Sequence, residues 1–336
     1  MRFDVVNPGG RDAPVDYRGG VTPPGAPGHP PVNYWAYAAA TAGRFHQQVN
    51  VADITGDAVL VLIRQRVGVS LAAVRALKRA GRVVYVSWKE TGATQIASQL
   101  RWFWRRNALA KILAEADGAL AVTTHAAEHY RAHGCRNIVL LPTPYPVDVP
   151  AWDFSPPGAP ARRGIFLGTR EFDVAGRRHA RALELAAHCA KAANVPVTVM
   201  NFDGVTARAR IEALLAGVGD VRILEQRLDY PGYLREMARH RVVLQLDEGE
   251  VPGQVAGDAL LCRTLNAGGN GAIQRVAFPE FALTDGLALR PLVQRLLTDD
   301  AYYRSALARS QAIAAEKLSF ASARAALTRL ILPARA

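Results

Sequence analysis

The chain has 336 residues, 50% of them hydrophobic, which is enough for a large core and suggests two domains. Its formal net charge of +12 points to an anionic partner: nucleotide phosphates, nucleic acid or acidic lipid headgroups. The three cysteines (Cys135, Cys189, Cys262) lack metal-ligand spacing and suit a reducing compartment, and the opening MRFDVVNPGG has no apolar signal region. No transmembrane segment is visible, so we expect a cytoplasmic protein, at most peripheral at the inner membrane face.

In chain order, Arg2–Asn7 reads as a strand running into Pro8-Gly9-Gly10-Arg11. A strand ending in glycines is where an open α/β sheet receives ligands, so Gly10 is a candidate acceptor contact. The Pro/Gly-rich stretch Asp12–Pro31 reads as a loop, either a substrate lid or a plain connection. An Ala-rich helix is expected over Ala36–Gln48, with Tyr34, Trp35 and Tyr37 either stacking on an acceptor or filling core. Ala58–Ile63 is a continuous apolar strand, Ser70–Ala80 a helix stopped by Gly81, and Arg82–Val86 the next strand. Trp88 and Glu90 follow that strand's carboxyl end, the usual place for chemistry in parallel sheets. Glu90 is therefore a candidate acid or base on the acceptor side, unless it pairs with Lys89 on the surface.

Arg101-Trp102-Phe103-Trp104-Arg105-Arg106 interleaves cations with aromatics. That pattern suits nucleic-acid stacking, a membrane interface, or a half-buried helix with a basic rim, and Arg105 joins the acceptor candidates. Gly118–Val122 and Ile138–Leu141 are strands around a helix at Ala126–His133. Pro142, Pro144, Pro146, Pro150 and Pro156-Pro157-Gly158 then mark a linker near residue 150.

The second half restarts with a strand at Gly164–Leu167 and the loop Gly168-Thr169-Arg170-Glu171. Arg170 and Arg177 are placed to clamp a diphosphate through bidentate guanidinium forks, whereas Arg178 and Arg181 read as solvated helix-face residues. Val197–Asn201 and Val221–Leu224 are further strands, and Tyr230-Pro231-Gly232 opens a helix. Val242–Leu246 is a buried strand followed by an acidic, Gly/Pro-broken loop, a helix over Gln254–Cys262 and a short strand at Thr264–Asn266. Gly253 permits close approach of a ligand to the backbone. The first N–H groups of the next helix lack intrahelical partners and make a phosphate site at Gln254, and Asp258 can accept from a ribose diol. A helix over Pro291–Leu297 and a long one from Ala301 to Leu332 close the chain.

Three stretches, FLGTRE (Phe166–Glu171), Tyr230-Pro231-Gly232 and EVPGQVAGDALLCRTLNAGG (Glu250–Gly269), resemble the retaining, family-4-like GT-B glycosyltransferases. The last resembles that family's E-x7-E donor segment. The resemblance implies an α/β fold of two Rossmann-like, doubly wound domains facing each other across a cleft. Residues 1–149 would bind the acceptor and 150–315 the nucleotide sugar, and the helix 316–336 would pack back toward the first domain. It implies a UDP- or GDP-sugar as donor substrate, no bound cofactor and no obligatory metal. Gly168, Thr169, Arg170, Arg177, Gly253 and Gln254 would bind the donor, with Gly253 and Gln254 offering N–H groups to the diphosphate and Arg170 and Arg177 neutralising the departing nucleotide. Asp258 would take the place of the second glutamate on the ribose. Glu90 would be the general base if the reaction inverts. The acceptor would be a polyanion, either a membrane-surface glycan or a hydroxylated DNA base. A different class remains beside it: a non-catalytic nucleic-acid-binding protein on a degenerate glycosyltransferase scaffold.

Overall fold

Buried parallel strands need no polar face, so their sequences run as unbroken apolar stretches with helices covering both sides. The computed structural model describes residues 1–64, 66–89, 91–155 and 162–331. It divides into two units: Met1–Val149 with Glu250–Pro252 and Ala315–Ala336, and Pro150–Gly249 with Gly253–Ala314.

The first unit is built on β1 (Phe3–Val6), β2 (Val15–Asp16), β3 (Arg44–His46), β4 (Ala58–Ile63), β5 (Val84–Trp88), β6 (Gly118–Ala121) and β7 (Ile138–Leu140). Their order is β2-β3-β1-β4-β5-β6-β7, parallel except for β2 at the edge. Its helices are α1 (Trp35–Ala40), α2 (Val67–Arg79), α3 (Ala93–Gln99), α4 (Phe103–Glu115) and α5 (Thr124–Ala132). All six β4 residues are buried, as an apolar run in a central strand requires. One core lies under α2, α4 and α5 around Val61, Leu77, Trp88, Ile112 and Tyr130. The other lies under α1 around Phe3, Tyr37, Phe45 and Leu62.

Three expected helices differ. The helix expected over residues 36–48 ends at Ala40, and residues 44–46 are instead strand β3, paired in parallel with β1. Gly43 makes the turn between them, where a Cβ would stand 2.3 Å from the Phe3 carbonyl oxygen. The terminal helix is two helices, α12 (Asp300–Lys317) and α13 (Phe320–Ile331). Asp148 takes the N–H groups of Phe320 and Ala321, at 3.1 and 2.9 Å, and so starts the second of them. Within the first unit α13 packs on α1.

The second unit carries β8 (Ile165–Gly168), β9 (Val197–Met200), β10 (Val221–Leu224), β11 (Val242–Leu244) and β12 (Leu265–Ala267), all parallel, in the order β10-β9-β8-β11-β12. Its helices are α6 (His179–Ala193), α7 (Gly204–Leu214), α8 (Tyr230–Met237), α9 (Gln254–Leu261), α10 (Ala272–Ala277) and α11 (Gly286–Thr298), followed by most of α12. The helix expected over residues 291–297 is the longer α11, with Pro291 inside it. In this order the chain winds outward from β8 in both directions, so the topological switch lies between β8 and β11.

His240, 5% exposed, is locked into this unit: its Nε2 lies 2.8 Å from Thr198 Oγ1 and its Nδ1 3.0 Å from the Glu236 carbonyl. Burial first, and then the Arg222 guanidinium, pull its pKa down to about 4. The folded state therefore keeps the ring neutral where the unfolded chain, titrating near about 6.5, already binds a proton. Stability is fully present above that value and should fall by roughly 3 kcal/mol as pH drops to about 4. Urea midpoints measured against pH should show this loss, and His240→Asn should flatten it.

Candidate functional site

In a doubly wound sheet the loops leaving the carboxyl ends at the switch point part to opposite sides and leave a crevice for ligand. In the second unit those loops follow β8 and β11, and the turn after β12 joins them. Hydrogen bonds stitch the three together: Glu248 N–H donates to Gly176 O at 3.0 Å, and Asn270 N–H donates to Asp247 O at 3.0 Å. The Asn270 amide adds a bond to Glu248 O at 3.1 Å. Left-handed backbone gathers in the same loops, at Glu171 (φ 61°), Arg178 (φ 50°), Glu250 (φ 49°) and Gly253 (φ 89°). Non-glycine residues hold such angles only where surroundings over-determine them, as ligand loops do.

Of the donor-side candidates, Gly168 and Arg170 are exposed on the β8 loop, and the Arg170 carbonyl lies 2.8 Å from His179 Nε2. The Arg170 guanidinium has no ion-pair partner among the described residues. Thr169 is 1% exposed and its hydroxyl donates to Met200 O at 3.2 Å, so it fixes the loop instead of facing solvent. Arg177 pairs with Asp247 at 2.5 Å and with Glu171 at 2.9 Å. Burial opposes its charge, and the Asp247 and Glu171 carboxylates outweigh that and raise its pKa. Its guanidinium thus ties the β8 and β11 loops. Arg178, expected to be solvated, pairs with Glu248.

Gly253 caps α9, and Gln254 stands exposed at the first helical position. Asp258 is 2% exposed and accepts from the Tyr230 hydroxyl at 2.5 Å, and Tyr233 lies against the same carboxyl. Burial first, then Asp258, push the Tyr233 hydroxyl well up. The acid expected on a ribose is thus roofed by tyrosines from α8. Glu250 and Asp258 enclose seven residues, which matches E-x7-E with aspartate at its second acid.

Sequence reasoning passed over Gln274. It is 1% exposed, and neither atom of its amide has a hydrogen-bond partner among the described residues. Its Oε1 would lie 2.3 Å from a Cβ at Gly253, and its Nε2 lies 3.4 Å from the Cβ position of Gly269. A buried amide with nothing to bond costs about 1–3 kcal/mol, so one beside a helix N-terminus is a candidate contact for polar ligand atoms. A single glutamine in GAIQRVA gives no sequence signal; only the fold brings it to Gly253. Farther along the edge, a groove of about 510 Å³ is lined by Phe172, Asp173, Asp203, Thr206 and Arg210. Its paired carboxylates make it a poor seat for phosphate.

In the first unit the switch lies between β1 and β4. Asn7 is fully buried there, Arg64 Nη1 donates to its Oδ1 at 3.2 Å, and Lys89 pairs with Asp12 at 2.5 Å. Gly10 sits among them, and a Cβ on it would stand 2.3 Å from Asn7 Nδ2 and 2.7 Å from Arg64 Nη1. Trp88, expected to face the acceptor, is corrected to core: it is 1% exposed, its ring stacks on Tyr130, and its backbone N–H donates to the Tyr130 hydroxyl at 2.6 Å. Tyr34, Trp35 and Tyr37 are likewise core, at 7%, 4% and 0%. Glu90 lies outside the described residues. Arg105 stacks on Trp104 at 4.9 Å on α4, apart from the Gly10 network.

No protein-family model and no curated protein sequence matches the chain. Solved structures do match. Anabaena HepE in complex with UDP-glucose aligns at 15% identity and TM-score 0.57, over 82% of this chain and 78% of that one. The α,α-trehalose 6-phosphate synthase of Burkholderia multivorans aligns at 10% identity and TM-score 0.58, over 83% and 72%. UDP-GlcNAc 2-epimerase from Neisseria meningitidis, bound to UDP-GlcNAc, aligns at 13% identity and TM-score 0.51, over 84% and 78%. At such identities the likeness fixes the fold: the chain has the two-Rossmann-domain GT-B architecture. No helix of the described residues is long and apolar enough to cross a membrane.

Proposed function

We propose that the protein is a glycosyltransferase whose second unit binds a nucleoside-diphosphate sugar and whose first unit carries the hydroxyl acceptor. The observation that carries this reading is the corner at Gly253, where the N-terminus of α9 meets the buried Gln274 amide, whose two polar atoms have no hydrogen-bond partner among the described residues. The diphosphate seats on the N–H groups of Gly253 and Gln254, with Gly168 leaving room and Arg170 as mobile counter-charge. Arg177 and Thr169 position those loops. Asp258 reaches a ribose diol only if the Tyr230 hydroxyl swings off it. The Neisseria epimerase is bound to UDP-GlcNAc and HepE to UDP-glucose, which supports UDP over GDP in the donor.

The C1–O bond to the diphosphate breaks through an oxocarbenium-like transition state, and the acceptor oxygen bonds to C1. Its proton passes to the departing phosphate if configuration is retained, as we propose, or to Glu90 if the sugar is inverted. No metal is assigned to the step, since guanidinium and helix N–H groups meet the developing charge. The acceptor we favour is a polyanionic membrane-surface glycan, with a hydroxylated DNA base next, and the location the cytoplasmic face of the membrane. The three free, buried cysteines suit that compartment.

Thermal unfolding tests the donor. Saturating UDP, GDP or a UDP-sugar should raise the midpoint, by about 2.7 kcal/mol of added stability at a hundredfold excess over Kd. No rise with any nucleoside diphosphate would leave the second reading, a nucleic-acid-binding protein on a degenerate scaffold, which the roofed Asp258 favours. That protein would bind duplex DNA with an affinity falling steeply between two salt concentrations.

A further inference from the structure

The first turn of α4 is unlike the rest of the first unit's surface. Trp102, Phe103 and Trp104 are 47%, 66% and 49% exposed, whereas Trp35, Trp88 and Trp152 are buried. The helix is anchored farther along, through Leu109, Ile112 and Leu113 against the core and against α2. Its first turn holds no buried residue and no acid. Arg101 lies over the Trp102 ring and Arg105 over Trp104, each at 4.9 Å.

Charge divides along the same two helices. At the far end Arg75 pairs with Glu115 at 2.6 Å and Lys78 with Asp117 at 2.7 Å. At the near end Arg101, Arg105 and Arg106, with Arg66 just before α2, have no carboxylate partner among the described residues. Three large apolar side chains held in water beside unneutralised guanidinium groups are costly unless something apolar with an anionic skin covers them.

We propose that Arg101–Arg106 is a docking surface for an anionic lipid bilayer. Trp102, Phe103 and Trp104 enter the boundary between headgroups and acyl chains, while Arg101, Arg105 and Arg106 pair with headgroup phosphates. The geometry favours lipid over a single nucleic-acid strand. Phe103 and Trp104, consecutive on the helix, point about 100° apart, and Trp102 precedes them in extended backbone, so the three rings share no helical face on which successive bases could stack. A bilayer accepts splayed rings on a convex helix end. The surface stands apart from the nucleotide reading, since docking requires no donor.

Co-sedimentation with vesicles of phosphatidylcholine, with and without phosphatidylglycerol, tests it. The protein should sediment with phosphatidylglycerol-containing vesicles, and brominated lipid should quench its tryptophan emission. The combined Trp102→Ala, Phe103→Ala and Trp104→Ala variant should lose the quenching. Arg101→Glu with Arg106→Glu should weaken binding at least on the order of tenfold. Both variants should keep the wild-type circular dichroism and unfolding midpoint. Failure to bind these vesicles, or quenching that survives in the aromatic variant, overturns the proposal. So does single-stranded DNA binding that falls in both variants while vesicles go unbound, which would make this a nucleic-acid surface. Vesicle binding without any nucleotide effect on unfolding would sink the transferase reading and leave this one standing.

Discussion

Arg170→Ala is expected to lower turnover by about 10²–10³-fold, or roughly 2.7–4 kcal/mol of transition-state stabilisation, with the unfolding midpoint unchanged. The structure separates Arg170 from its neighbours. Arg177 and Arg178 are bound to carboxylates and hold loops, whereas Arg170 is exposed and unpaired among the described residues, with only its carbonyl engaged, by His179. A cation without a competing carboxylate can give its full charge to a leaving diphosphate. Removing it costs little fold, because an exposed side chain on a loop forfeits few contacts. Single-turnover measurement of nucleotide release would read the effect, and wild-type turnover in the variant would remove Arg170 from the chemistry. Arg177→Ala should behave otherwise, lowering stability along with activity, because Asp247 and Glu171 lose their shared partner.

Gly253→Ala is the second large effect, and both its causes are local. At φ 89° an L-residue is strained by about 1–3 kcal/mol. The new methyl would also stand 2.3 Å from Gln274 Oε1 and 3.2 Å from the Ile273 N and Cβ. The glutamine tip can swing away; the α10 backbone cannot. The first N–H groups of α9 should tilt, and nucleoside-diphosphate affinity should drop at least on the order of tenfold, measured by calorimetry. A variant that binds UDP as tightly as the parent would detach this corner from the donor.

The inner strands were legible because buried parallel strands are written as apolar runs: Ala58–Ile63 coincides with β4, and Val242–Leu246 contains β11. Where neighbours distant in sequence decide, local pattern misled. Ala36–Gln48 looks helical on composition, but β1 draws residues 44–46 into the sheet. Ala301–Leu332 looks continuous, but Asp148 starts a new helix at Phe320. The glycine and arginine loops of the candidate site could be read from their positions after strands. The division of labour among the arginines could not, because it depends on which carboxylate each one meets. Trp88 shows the same limit: its place after a strand suggested a ligand contact, and Tyr130, contributed by α5, turned its ring into core.

The two-residue strand β2 has a consequence of its own. Bare sheet margins invite another chain to add a strand, and this one is short, antiparallel and ringed by charge. Asp16 meets Arg18 at 2.6 Å and Arg44 at 3.3 Å. The Arg18 side-chain hydrogen bonds, against the opposing effect of burial, hold its pKa down to about 2, so the fence stays ionised in all but strong acid. A second copy sliding up to this margin would have to strip water from guanidinium and carboxylate before reaching a free amide, which closes that flank to strand-by-strand polymerisation.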